Sequence, residues 1–251
     1  MTQATHRARA MLSLCLLALG VFGAGSAQAA TWVVSGVKLT SGSKALVGSL
    51  ATTGVLHTKI GANAVEFSCV KLSLISAVLE PKGQISGETS GFQSKFQECQ
   101  TKINGKVNSS CEPNDSGTNP GVLLTNLLKG LLILHILLNE KKEVIGKDGV
   151  VMIESNVRET ISGVPNTPVF ARIKMSAECP IGSNIPIIGQ FGLKDVGGEV
   201  GLEEEKLTHE LEEGLLTEFW ALSKTFEHKI SLLGKKKVSL VSDENWSGLR
   251  E

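Results

Sequence analysis

The stretch Val122-Leu-Leu-Thr-Asn-Leu-Leu-Lys-Gly-Leu-Leu-Ile-Leu-His-Ile-Leu-Leu138 decides the fold class, because three different readings of it lead to three different proteins. As a membrane span it is shorter than the roughly 20 apolar residues required, and it holds Asn126 and Lys129 within it. As a buried helix it has the leucine content that favours one. As two core strands meeting near Lys129-Gly130 it agrees with its neighbours, which are β-like on both sides. Its own periodicity is compatible with helix or strand. The neighbours carry the decision, and they make the chain all-β.

Upstream, Thr101-Lys102-Ile103-Asn104-Gly105-Lys106-Val107 reads as a hairpin about a two-residue Asn-Gly turn, the strongest short-range hairpin signal. Residues 32–39, 55–60, 65–72, 73–80, 84–88 and 92–100 read as strands, with Pro81-Lys82-Gly83 as a turn. Downstream, residues 150–154, 169–177 and 185–193 continue the pattern, with Pro165, Pro168, Pro180 and Pro186 near their ends. Residues 201–216 leave room for one short helix through Leu202, Leu207, Leu211 and Leu215, although residues 206–211 also alternate as a strand. A hairpin at residues 234–237 leads to a strand at 238–241 and to Trp246-Ser247-Gly248. The expected architecture is an antiparallel sandwich or barrel. Residues 112–120 carry no apolar side chain besides two prolines, so any division into halves falls there.

The first 29 residues read as a signal peptide. His6, Arg7 and Arg9 give a positive start, residues 11–22 an apolar run, and Ala27-Gln28-Ala29 a small-x-small cleavage pattern. Cys15 lies inside the apolar run and behind Leu14, which does not suit lipid attachment. The mature chain of 222 residues, beginning after Ala29 of the 251, is then a single β domain over residues 30–251, secreted or otherwise extracytoplasmic, with no transmembrane anchor after cleavage. The signal carries two of the 25 basic residues and none of the 25 acidic ones, so the mature charge is about −2. That balance disfavours a nucleic-acid partner or a polybasic membrane surface.

Four cysteines remain in the mature chain: Cys69, Cys99, Cys111 and Cys179. An even count in an exported chain reads as two disulfides. If the Asn-Gly hairpin extends, Cys99 lies opposite Ser110 and Cys111 opposite Glu98, which puts the two cysteines on opposite faces and out of reach. The favoured pairing is Cys69–Cys99 with Cys111–Cys179, and Cys69–Cys111 with Cys99–Cys179 stays open. No C-x-x-C spacing supports a zinc site.

The candidate chemistry is sparse. His209-Glu210-Leu211-Glu212-Glu213 resembles H-E-x-x-H but has Glu213 where the second ligand belongs. Ser41-Gly42-Ser43-Lys44 fits S-x-x-K within a polar loop, and no G-x-S-x-G elbow exists. Glu203-Glu204-Glu205 with Asp195 lacks the alternating oxygen ligands of a calcium loop, and a solvated charge run is the ordinary fate of such a segment. Trp32, Trp220 and Trp246 are candidate sugar platforms, against the commoner fate of packing in a core. Low aromatic content and the lack of Tyr argue against a transmembrane barrel. No catalytic, cofactor-binding or metal residue can be assigned, and no cofactor is expected.

Several segments resemble a group of uncharacterised secreted bacterial β-rich proteins with a W-x-V-x-G mature start and four cysteines. The resemblance rests on Trp32-Val33-Val34-Ser35-Gly36, Val65-Glu66-Phe67-Ser68-Cys69, Gly83-Gln84-Ile85-Ser86-Gly87 and Phe96-Gln97-Glu98-Cys99. It continues in residues 128–135, in Glu178-Cys179-Pro180-Ile181-Gly182 and in Trp246-Ser247-Gly248. Residues 136–147 depart from it by their Leu and Lys content. The resemblance implies an exported cystine-containing β protein and carries no established activity with it.

Three functions follow as expectations. A non-catalytic binding or surface/structural protein is foremost. A soluble carrier of an apolar small molecule would enclose a cavity lined by residues such as Leu131, Ile133 and Leu137. A secreted hydrolase would bring His57, His135, His209 or His228 to a serine or carboxylates in a cleft.

Overall fold

The computed structural model describes residues 30–87, 90–115, 119–138, 144–161, 163–195, 204–208, 218–223, 226–233, 235–242, 244 and 246–249. Side chains are described for these except at 133–138, 144–150, 191–192, 194–195, 204–208, 218–223, 226–233, 235, 247 and 249. The chain is nearly all β and its pairings are antiparallel. The one helical element among the described residues is a 3-10 turn at Ser109–Cys111.

One layer holds Gly54–Ile60, Asn63–Ile75 and Gln93–Ile103 side by side. In the other, pairings run from Leu128–Leu138 through Gln84–Gly87 and Ala77–Glu80 to Lys44–Leu50. They continue through Lys235–Leu240 and Glu204–Thr208 to Asn184–Asp195. Val144–Ser155 then joins Asn184–Asp195 back to Leu128–Leu138. The inward residues alternate as a half-buried sheet requires, for example Val151, Ile153 and Ser155 with Met152 and Glu154 between them. One buried cluster takes side chains from both sides of residues 112–120, including Phe67, Leu79, Ile173, Ile187 and Leu240.

The decisive apolar stretch is strand, but it divides elsewhere than expected. Leu123–Leu124 and Leu128–Leu138 are separated at Thr125-Asn126-Leu127, not at Lys129-Gly130. Thr125 and Asn126 are held at this break: Thr125 Oγ1 accepts from Ser94 N–H, and Asn126 N–H donates to the Phe170 carbonyl. Gly130 stays in the ladder between Ile85 and Ile153. A Cβ there would lie 2.9 Å from Ile153 Cδ1 and 3.0 Å from Ile85 Cβ. The glycine therefore permits close packing inside a strand and marks no break.

Other segments also differ from expectation. Residues 32–39 form a hairpin, Thr31–Val34 with Val37–Lys38, because Ser35 and Gly36 both take positive φ. The Asn-Gly hairpin has the expected register, Ile103 opposite Lys106, but its second strand stops at Val107. Cys111 then lies in the 3-10 turn and not opposite Glu98. The lysine run near 234–237 is no hairpin: Phe226–Leu233 pairs with Glu218–Ser223 and Gly54–Ile60, whereas Lys235–Leu240 pairs with Glu204–Thr208 and Lys44–Leu50. Pro165, Pro168 and Pro186 lie within strands; Pro168 is tolerated in a ladder whose register shifts.

Both disulfides take the favoured pairing. Cys69 and Cys99 are direct cross-strand partners with Cα atoms 4.0 Å apart. Cys111–Cys179 ties the 3-10 turn to the loop after Val164–Lys174. Just past the first cystine, the two strands change inward phase together. Val65, Phe67 and Cys69 are followed by Leu72; Thr101 and Cys99 are followed by Phe96 and Ser94. The register is nevertheless unbroken; Glu98, at φ 54°, lies at the phase change and ion-pairs with Lys71.

Candidate functional site

Strand register places one group of side chains on the outer face of the second layer. Glu80 is level with Gln84, Gln84 with Leu131, and Leu131 with Met152. Two residues along, Lys129 is level with Glu154 and Glu154 with Gln190. Alternate residues of a strand share a face, so Ser86 joins Gln84. These side chains line a groove of about 710 Å³ running across five strands. It exists because Leu132 and Ile153 point into the core while Leu131 and Met152 point out.

The groove is mixed in character. Leu131 is 46% exposed and forms its apolar middle with Met152. Gln84, Gln190, Ser86 and Ser90 offer neutral donors and acceptors. Glu154 faces Lys129 across the ladder but is engaged by Arg158, whose Nη2 lies 3.4 Å from Glu154 Oε2. A second hollow of about 680 Å³ lies beside the 3-10 turn, with Ser109, Ser110, Glu112, Lys174, Ser176 and Asn184 in its wall together with Met175 and Ala177.

The carrier's expected cavity is not assembled from Leu131, which faces outward; the side chains of Ile133 and Leu137 lie outside the described residues. Of the histidines, His57 is on an open sheet face, its Nδ1 3.9 Å from Glu66 Oε2. Glu66 also accepts from Lys102 Nζ at 2.8 Å, so it serves a surface ion pair. His57 lines neither hollow. The backbone register sets His135 opposite Asp148 and His228 opposite Ala221, with their side chains outside the described residues; His209 lies outside them altogether. Lys44, the base an S-x-x-K site would need, pairs with Glu244.

The remaining candidates are placed as follows. Trp32 and Trp246 are each 2% exposed and meet edge to face with centroids 5.6 Å apart. Trp32 Nε1 donates to the Gln84 carbonyl at 2.8 Å, so these two rings hold the core together and offer no sugar platform. Trp220 is placed by its backbone in Glu218–Ser223. Glu204 and Glu205 fall in a strand opposite Ser239 and Val238, and Asp195 is opposite Leu207. Among the described residues no group of three or more His, Cys, Asp or Glu side chains is placed to hold a metal ion. No helix among them is long and apolar enough to cross a membrane.

No family profile, curated protein or solved structure matches the chain.

One functional feature escapes a reading of the sequence. Lys129 and Leu131 stand in an apolar run and suggest a core, yet they face the groove. Their partners in it, Glu80, Gln84, Met152, Glu154 and Gln190, come from four other strands, and only tertiary pairing brings them together.

Proposed function

We propose that this is a non-catalytic binding or surface protein, exported to work outside the cytoplasm; the resemblance to secreted bacterial β-rich proteins supports the export. The groove across the outer sheet face carries the reading. It offers hydrogen-bonding groups, charges of both signs and an apolar centre on rigid strands, which suits recognition. The two cystines support an oxidising compartment. The N-terminal signal pattern agrees with export.

Native mass spectrometry of the mature protein, purified from its own secreting host, tests the proposal. A reproducible small-molecule adduct supports binding, and bare oligomers support a surface role. A bare monomer whose histidine variants lose a hydrolytic activity present in the preparation would reject the non-catalytic reading.

A further inference from the structure

Resting on the reading of the groove as a binding site, we infer that its ligand is a short extended peptide with free amino and carboxyl termini. Charge placement points to this ligand. Glu80 and Lys129 are the groove's charged side chains with no ion pair or side-chain hydrogen bond among the described residues, since Glu154 is taken by Arg158.

The register sets their separation. Glu80 is level with Leu131 by way of Gln84, and Lys129 is two residues from Leu131 along the strand. Two strand spacings across and two residues along give about 12 Å between the Cα atoms. An extended chain of three to four residues spans roughly 10–14 Å. A peptide ammonium at Glu80 and a carboxylate at Lys129 thus match the groove's length. Leu131, half exposed, stands to one side of this diagonal, level with Glu80, where it meets an aliphatic side chain of the ligand, while Gln84, beside the diagonal, can donate to or accept from the peptide backbone.

Other ligand classes fit less well. Among the described residues the groove lining contains no aromatic ring on which a sugar could stack. Glu80 and Glu154 repel a polyanion, and Lys129 repels a polycation. A dipolar ligand with an aliphatic centre satisfies all three.

The test is amide chemical-shift mapping of ¹⁵N-labelled mature protein with three probes: Ala-Leu-Ala with free termini, the same peptide acetylated and amidated, and a neutral N-acetylglucosamine trimer. The free peptide is expected to shift amides within 80–87, 129–131 and 152–154. Blocking its termini should weaken binding at least about tenfold, and Lys129→Glu or Glu80→Lys should do the same. The double reversal should restore binding, because the peptide then lies in the opposite direction. Equal binding of the blocked peptide, or preference for the trimer, overturns the peptide assignment and leaves the groove a binding site. If no groove amide moves with any probe at millimolar concentration, the groove is not a binding site of this kind and both readings fall.

Discussion

At Gly130 a single hydrogen in place of a side chain lets Ile85 and Ile153 close over the strand, with contacts that a Cβ would bring to 3.0 and 2.9 Å. Gly130→Ala should cost about 1–3 kcal/mol through overpacking, read as a lower urea midpoint with an unchanged slope. An unchanged midpoint would mean the two isoleucines can retreat. Lys236 is a different kind of constraint. It alternates inward with Val238 and Leu240, is 7% exposed, and its Nζ lies 5.6 Å from the Phe96 ring centroid. Burial pushes its ammonium down to about 7 from an ordinary value of 10.5. The unfolded chain therefore binds the proton more tightly, so this residue costs most stability below about pH 7. The cost fades as pH rises toward 10.5. Lys236→Met should be more stable than the parent at about pH 6, with the advantage shrinking toward about pH 10. Parallel unfolding curves at the two pH values would contradict this.

Among the elements, the strands Asn63–Ile75 and Gln93–Ile103 show how local chemistry and cross-linking combine. Their register is held by Cys69–Cys99 and, at the far end, by the Asn104-Gly105 turn, where Ala64 N–H donates to Asn104 Oδ1 at 2.9 Å. Asn104 has φ 51°, which asparagine tolerates better than most residues. Asn104→Ala should lose about 1–2 kcal/mol by combining a lost hydrogen bond with left-handed backbone strain. The cystines can be ranked as well. Their sequence separations are 30 and 68, so removing Cys111–Cys179 should destabilise slightly more than removing Cys69–Cys99, each by about 4 kcal/mol on chain entropy. Paired alanine variants, unfolded in urea, check the order. The Asn-Gly register was legible in advance because the turn is a local device. The end of that ribbon at Val107 was not, because the Thr101 hydroxyl donates to the Cys111 carbonyl and Asn108 caps the 3-10 turn.

For the molecule as a whole, the two ends of the described chain depend on each other. Thr31–Val34 pairs with Trp246–Leu249, and Trp32 packs against Trp246. Gly248 lies against Leu132, where an added Cβ would approach Leu132 Cδ2 to 2.7 Å. Truncation after Glu244 should expose Trp32, cost about 3–5 kcal/mol or more from the lost Trp246 alone, and shift tryptophan emission to the red. Unaltered emission and melting temperature would show that this small sheet is not part of the cooperative unit.

Much of the all-β class was already written in the chain. The Asn-Gly and Pro-Lys-Gly turns, period-two alternation and four cysteines act over a few residues, so they can be recognised without knowing what they pack against. The apolar run 122–138 was read as strand on the strength of its neighbours, but its break belongs to tertiary structure, because the bonds holding Thr125 and Asn126 come from Ser94 and Phe170. The groove belongs there too. Which of Leu131 and Leu132 faces the core is set by pairing with Gln84 and Met152, and a slip of one residue would exchange their faces. Composition and turns determined a disulfide-linked β protein; register, which depends on contacts between residues distant in sequence, decided what its surface presents.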